Sequence, residues 1–267
     1  MHVECPSRTE SASSPGGWPP WRHGLKDLAE RANCGQSTAH RALQDLVAEG
    51  FVERVDDTSR YGLALDVFVL AANAGRAAGL RDLARPCLLR LSSTLSDTIF
   101  LLVRHGYDAV CLDRVEGPFP IRTFTGEIGG KVPLGIGQGS LAILAHLGEA
   151  EREAVIAFNM PRLLDRGFVD EAALRVALDA TVKRGRADLN MGLIPGMAGV
   201  AVPVFDAGGR VVAALSVGTL RERLGDERLP IVVDMLKAEA KALSGRINPF
   251  DDTLNQPSRS LSNAAAR

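Results

Sequence analysis

Residues 25–61 of this 267-residue chain, LKDLAERANCGQSTAHRALQDLVAEGFVERVDDTSRY, restrict its possible folds more than any other stretch. Leu25, Leu28, Ala29 and Ala32 recur on one face of a short helix. Asn33, Cys34 and Gly35 interrupt it, because Asn and Gly tolerate the backbone angles of a tight turn. A second apolar series, Ala39, Ala42, Leu43, Leu46 and Val47, has the i, i+3, i+4, i+7, i+8 spacing of an amphipathic helix of about four turns. Ser37 or Gln36 starts that helix and Gly50 lies just past its end. Two helices joined by a tight Gly-containing turn make a helix-turn-helix. Residues 51–55 then read as a strand, 56–60 as a polar turn and 61–63 as a returning strand, the wing of a winged helix-turn-helix.

The stripe leaves Gln36, Ser37, Thr38, His40 and Arg41 on the N-terminal half of the second helix, away from the core. That half is what a helix-turn-helix presents to the DNA major groove. Arg can bond guanine bidentately and Gln can do so with adenine, while Ser and Thr hydroxyls suit phosphate oxygens. Arg54 and Arg60 in the wing are phosphate candidates. The bland alternative for all of these is a solvated polar surface. Overall charge gives no help, being −1 for the chain. Within 25–62, five Lys and Arg against seven Asp and Glu leave −2. Residues 33–44 nevertheless hold Arg41 and no acid, whereas Asp45, Glu49 and Glu53 crowd the far half of the helix and the strand after it. DNA contact must use this local asymmetry.

Ahead of this stretch, residues 1–24 hold Pro6, Pro15, Pro19, Pro20, Gly16, Gly17 and Gly24, which preclude a long helix, so the segment is expected to be disordered. After it, 64–79 suggests a linker helix. Leu80, Leu83, Ala84, Cys87, Leu88, Leu91 and Leu95 continue at heptad-like spacing, with Pro86 marking a kink or a fresh start. Residues 98–103 and 109–115 are β-rich runs around a hairpin turn, and 121–125 is a further strand. Residues 126–139 read as loop, with six glycines in fourteen residues. Helices follow over 140–146, 149–158 and 170–184. The final hairpin pairs 199–205 with 211–219, a last helix spans 227–247, and 249–267 is a polar, disordered tail. The expected class is α+β, with a winged domain at 25–63 and an α/β domain at 80–248.

Ser37-Thr38-Ala39-His40-Arg41, Leu43, Leu46, Glu49-Gly50-Phe51-Val52 and Tyr61-x-Leu63 resemble the DNA-binding domain of IclR-type transcriptional regulators. Asp113-Arg114-Val115-Glu116, Pro133-Leu134, Gly199-Val200-Ala201-Val202-Pro203-Val204-Phe205-Asp206 and Ala214-Leu215-Ser216-Val217 resemble that family's effector domain, so the resemblance covers about 25–247. It implies a GAF-like effector-binding domain, a small organic-acid effector, operator DNA as partner, and a homodimer or dimer of dimers. Matching the family's pocket position by position points to Gln138, Gly139, Asn190, Met197, Gly199, Ser216 and Gly218. The chain departs from the family in two places. No apolar helix precedes residue 25, so either the winged domain is truncated or a segment with Trp18 and Trp21 covers its exposed face, and weak DNA binding is expected. Gly135 and Ser140-Leu141 stand where the family carries a His and a Gly-Lys pair.

The residues themselves agree with an effector site. Glycines 135, 137 and 139 let backbone N–H groups at a helix start meet an anion. No Lys follows the last glycine, so this is not a phosphate loop. In the final hairpin, alternation separates Val211, Ala213, Leu215 and Val217 from Val212, Ala214, Ser216 and Gly218. The second set, with Gly199 and Ala201, is mostly small, and the space it leaves must hold a ligand or closely packed neighbours. Asn190 is either a polar contact or a turn residue.

Catalysis finds no constellation here, and no cofactor is expected. His23, His40, His105 and His146 lack metal-ligand spacing, and Ser216 has no Gly-x-Ser-x-Gly context. Asp113 and Glu116 would face opposite sides of a strand end. Cys5, Cys34, Cys87 and Cys111 are far apart, which suits reduced thiols in a cytoplasmic protein. No apolar run reaches ~18 residues, so no membrane span is expected. The expected function is transcriptional regulation under a small-molecule effector; the alternative is a sensor that has lost DNA binding.

Overall fold

The computed structural model describes residues 23–55, 60–67, 79–119, 127–165, 170–188 and 196–248. The chain divides into two compact units, residues 1–73 and 74–267. The expected strand at 121–125, most of the linker helix, Trp18, Trp21, Asn190 and the 249–267 tail lie outside the described residues.

In the first unit, α1 (Leu25–Arg31) and α2 (Gln36–Ala48) form the helix-turn-helix. Asn33 takes φ 49°, the left-handed conformation that stops α1, and Cys34 N donates to Ala29 O to close the turn. The wing is β2 (Val52–Val55) paired antiparallel with β3 (Arg60–Leu63). The end of the supposedly disordered N-terminal segment is ordered: β1 (His23–Gly24) pairs with Tyr61 and Arg60 on the free edge of β3. Two residues carry no sequence signal of their own, and only the edge they meet makes them a strand. The apolar stripe of α2 also differs from expectation. Ala39 and Leu43 are buried, with Ala29 and Tyr61, but Leu46, Val47 and Phe51 are about 40% exposed. The periodicity marks a face able to bury, and nothing among the described residues covers its C-terminal half.

The second unit is one six-stranded antiparallel sheet in the order β6-β5-β4-β9-β8-β7. Its strands are β4 (Thr98–His105), β5 (Asp108–Val115), β6 (Lys131–Pro133), β7 (Ala187–Asp188), β8 (Met197–Phe205) and β9 (Val211–Leu220). Both faces are covered, so β4 and β9 read as continuous apolar runs. On one face, α3 (Gly79–Leu95) and α8 (Arg228–Ser244) pack on Ile99, Leu101, Val103, Val200, Val202, Leu215 and Val217. On the other, α4 (Gln138–Ala145), α5 (Glu149–Leu164) and α6 (Glu171–Arg184) pack on Phe100, Leu102, Cys111, Ala201 and Ala214. The short helix α7 (Arg221–Leu224) joins β9 to α8.

Several expectations change in detail. Pro86 lies inside a continuous α3, in its second turn. Residues 131–133, within the expected glycine loop, form β6 because Asp108–Val110 offers them an open edge. The hairpin alternation flips near its turn: a register shift at Val204/Phe205 puts Val212 with Ala213 on the α3/α8 side and Val211 on the other. Pro203, which cannot donate a ladder hydrogen bond, sits in β8 beyond the reach of β7, whose pairing stops at Ala201, and Phe205 N donates to Ser244 Oγ of α8 at 3.3 Å.

Two buried carboxylates clasp this unit. Asp97, wholly buried, accepts from Thr219 Oγ1 at 2.8 Å, Arg223 Nε at 3.1 Å and Arg228 Nη2 at 2.6 Å, tying β9, α7 and α8 to the end of α3. Asp113 accepts from Arg85 Nη1 of α3 at 2.9 Å. It is therefore a structural anchor, and Glu116 pairs with Arg114 instead.

Candidate functional site

Gly35 is the N-cap residue of α2 and offers no side chain to the helix, so the first N–H groups of the helix stay open beside Gln36, Ser37 and Thr38. Those three residues and Arg41 are exposed, and His40 is half-buried. Arg41 forms no ion pair among the described residues. Its guanidinium is thus unspent, on a helix face free of acids until Asp45. Arg54 is exposed on β2, and Arg60 stands on β3 between Gly24 and Val55. The wing tip, 56–59, lies outside the described residues.

In the second unit, α4 is buried from Gly139 through Ala145 and begins in the glycine loop. Gly137 is its N-cap at φ 78°, and Gly135 has φ 112°; glycine alone adopts both without strain. Ser140 has a structural task at this point. Its hydroxyl donates to Ile136 O at 2.5 Å and accepts from Gly135 N at 3.2 Å, fastening the loop to the helix. The Gly135 N–H is therefore not available to a ligand, contrary to the sequence expectation. Ile136 N is also spent, on Pro133 O. The open donors are those of the first turn, Gln138, Gly139 and Ser140, since intrahelical bonding starts with Leu141 N to Gly137 O. Asn159 of α5 holds the loop's start, donating to Leu134 O at 3.1 Å and Tyr107 O at 2.7 Å.

The hairpin brings most of the remaining positions together. Gly199 pairs with Gly218 and Ala201 with Ser216, while Met197 lies two residues before Gly199 on the same side of β8. A β-carbon at Gly199 would stand 3.2 Å from Gln138 Oε1, so the Gln138 carboxamide lies over that glycine. Ser216 is 6% exposed, and its hydroxyl makes no hydrogen bond among the described residues. Asn190 lies outside the described residues. A cavity of about 150 Å³ opens at the start of β8, bounded by Asp188, Ala198, Arg221 and Asp226; of the expected effector residues, only Gly199 reaches it.

Sequence reasoning missed Phe100 and Leu102. They fill much of the space that the small residues leave: a β-carbon on Gly218 would lie 3.0 Å from Phe100 Cε2, and one on Gly139 would lie 2.4 Å from Leu102 Cδ1. Phe100 stands directly opposite Ser216. Only the antiparallel β4–β9 register reveals this, and the register joins segments more than a hundred residues apart. Burial also settles the cysteines: it pushes the Cys111 thiol up to about 11 and raises that of Cys87, whereas Cys34 is exposed. No helix among the described residues is long and apolar enough to cross a membrane, and no group of three metal-ligating side chains occurs among them.

Comparison with known proteins bears on both units. The family model for the IclR helix-turn-helix domain matches residues 15–56, and that for the bacterial transcriptional regulator IclR C-terminal domain matches 73–245. The HTH-type transcriptional regulator BhcR of Paracoccus denitrificans is 31% identical over 231 residues, covering 85% of this chain and 82% of that protein. The HTH-type transcriptional regulator KdgR of Escherichia coli is 28% identical, covering 85% and 87% respectively. Among solved structures, the IclR of Thermotoga maritima matches with TM-score 0.66 and 26% identity over 88% of this chain and 92% of its own. An IclR homolog from Microbacterium hydrocarbonoxydans, solved as a complex with 4-hydroxybenzoate, matches with TM-score 0.70 and 27% identity over 84% and 90%. The relatives are regulators rather than enzymes, and this chain belongs to the IclR family of bacterial transcriptional regulators.

Proposed function

We propose that this regulator reads operator DNA with the N-terminal half of α2 and holds a small organic acid on the sheet face around Ser216. The effector reading is carried by Ser216, a residue 6% exposed whose hydroxyl makes no hydrogen bond among the described residues. A hydroxyl on this inner face that spends no bond on the protein is free to donate to or accept from a ligand. Gly199, Ala201 and Gly218 surround it, and the open N–H groups at the start of α4 favour a carboxylate. Gln138 and Met197 line the same side. Asn190 belongs to this reading through the family match alone. Binding biases the chain between states of different operator affinity. The Microbacterium hydrocarbonoxydans protein is complexed with 4-hydroxybenzoate, which shares the carboxylate, though not the ring-free tail, of the acid proposed here. Thermal-shift screening of small carboxylic acids tests the reading, with Ser216→Val as control. At least one acid should raise the melting temperature of the wild type and not that of the variant. Equal shifts in both would place the ligand elsewhere.

On the DNA side, Gln36, Ser37, Thr38, His40 and Arg41 are the base and phosphate contacts, with Arg54 and Arg60 on the flanking backbone. The assembly is a homodimer or dimer of dimers, which light scattering on the intact chain would decide. A second reading, a sensor with weakened DNA binding, draws on the exposure of Leu46, Val47 and Phe51. Nanomolar operator binding by the intact chain would exclude it.

A further inference from the structure

We propose that Phe100 sets the size of the acid this site admits, an inference that rests on placing the effector at Ser216. Phe100 lies directly across from Ser216 on the neighbouring strand, and its ring leans over Gly218, with Cε2 3.0 Å from where a β-carbon would be. It is 6% exposed, so the ring belongs to the inner face of the sheet and not to the surface. Leu102, next on the same face of β4, closes the side toward Gly139, and Gln138 roofs Gly199. The small residues of β8 and β9 therefore do not open onto a broad empty chamber. Any room beside Ser216 is bounded on the β4 side by one aromatic ring.

The consequence for a ligand follows from volume. On this placement a carboxylate meets the first-turn N–H groups of α4 and its tail lies on the sheet face that Phe100 and Leu102 bound. A short aliphatic tail asks less of the space beside the ring than an aromatic one does. An aromatic tail needs the volume that the ring already fills, and a close-packed interior does not yield it without moving a side chain. Phe100 is thus a specificity residue: it excludes aromatic acids in favour of short aliphatic ones. Cutting it back leaves a hole of about the ligand ring's own shape. Engineered apolar cavities of that kind take up benzene-sized guests.

The test uses propionate and benzoate as probes, by calorimetry on the full chain, in wild type, Phe100→Ala, Phe100→Leu and Ser216→Val. Wild type should bind propionate at least tenfold more tightly than benzoate. Phe100→Ala should reverse that order, Phe100→Leu should narrow it, and adding Ser216→Val to either should remove binding of both acids. Should Phe100→Ala fail to fold, the ratio in Phe100→Leu decides. A propionate-to-benzoate ratio unchanged by either Phe100 variant, while Ser216→Val still abolishes binding, would overturn the role of Phe100 and leave the site standing. Binding untouched by all three variants, or no binding of either acid to wild type, would overturn the site itself.

Discussion

Asp97→Ala tests how the effector unit is held together. The carboxylate is wholly buried and accepts from Thr219 Oγ1, Arg223 Nε and Arg228 Nη2. Removing one member of a buried charge network costs about 3–5 kcal/mol when the partners stay buried. Here they do not stay buried entirely. The Arg223 and Arg228 side chains keep 29% and 27% exposure, and Arg228 retains its 2.6 Å bond to Leu95 O. Both guanidiniums can therefore recover part of their hydration, which pulls the cost toward the lower end. Thr219 has no such recourse, being fully buried, and its orphaned hydroxyl adds about 1–3 kcal/mol. The expected loss is about 3 kcal/mol, with Thr219→Val alone costing about 1 kcal/mol because both arginine contacts survive it. The two changes should be non-additive, since after Asp97→Ala the hydroxyl no longer has a partner to lose. Urea unfolding of the intact chain, followed through the transition of the larger unit, measures both. A loss below about 1 kcal/mol in Asp97→Ala would refute the reasoning. It would mean that the cost of burying the carboxylate cancels its attraction to the two arginines.

Three further outcomes are expected. Arg41→Ala should weaken specific operator binding by about 1–3 kcal/mol, the usual worth of a bidentate base contact, and an unchanged gel-shift titration at fixed salt would remove Arg41 from the interface. Leu46→Ser and Val47→Ser should each change stability by less than about 0.5 kcal/mol, as exposed positions do, whereas a loss of 2 kcal/mol or more by thermal unfolding would reveal a cover over that face of α2. Iodoacetamide at pH 8 should label Cys34 and spare Cys87 and Cys111, as read by peptide mass spectrometry. Burial raises the Cys111 value to about 11, so the stabilising effect of its neutral thiol is complete below the ordinary thiol range and is lost as pH climbs through that value. Rapid labelling of Cys111 in the folded chain at pH 8 would contradict its burial.

Local features were legible in the sequence in proportion to how local they are. The turn at Asn33-Cys34-Gly35, the α2 helix and the two strands of the final hairpin each depend on neighbours within a few residues, and each is found where the pattern puts it. What the pattern could not supply is what stands opposite. The α2 stripe shows which side can be buried, but Leu46 and Val47 remain exposed because burial needs a second element. The small residues of β8 and β9 indicate room, but whether Phe100 and Leu102 occupy it depends on pairings between distant segments. β6 and β1 are strands only because an edge was waiting for them. The parity flip at Val211 and Val212 comes from one extra residue in the ladder, which alternation alone cannot register.

The treatment of β8 beyond Ala201 has a consequence for the behaviour of the protein among other chains. A bare strand margin invites a stranger's strand to lay itself alongside and extend the sheet from molecule to molecule. Here proline takes away one foothold at residue 203, and Ser244 occupies another at the Phe205 N–H. A visiting strand finds gaps where it needs regular rungs. Pro203→Val should restore a rung without adding charge, so its first symptom would be concentration-dependent aggregation and not loss of effector or operator binding. A regulator present at few copies has little to fear from this, but one overproduced in a cell or a crystallisation drop depends on that broken margin to stay dispersed.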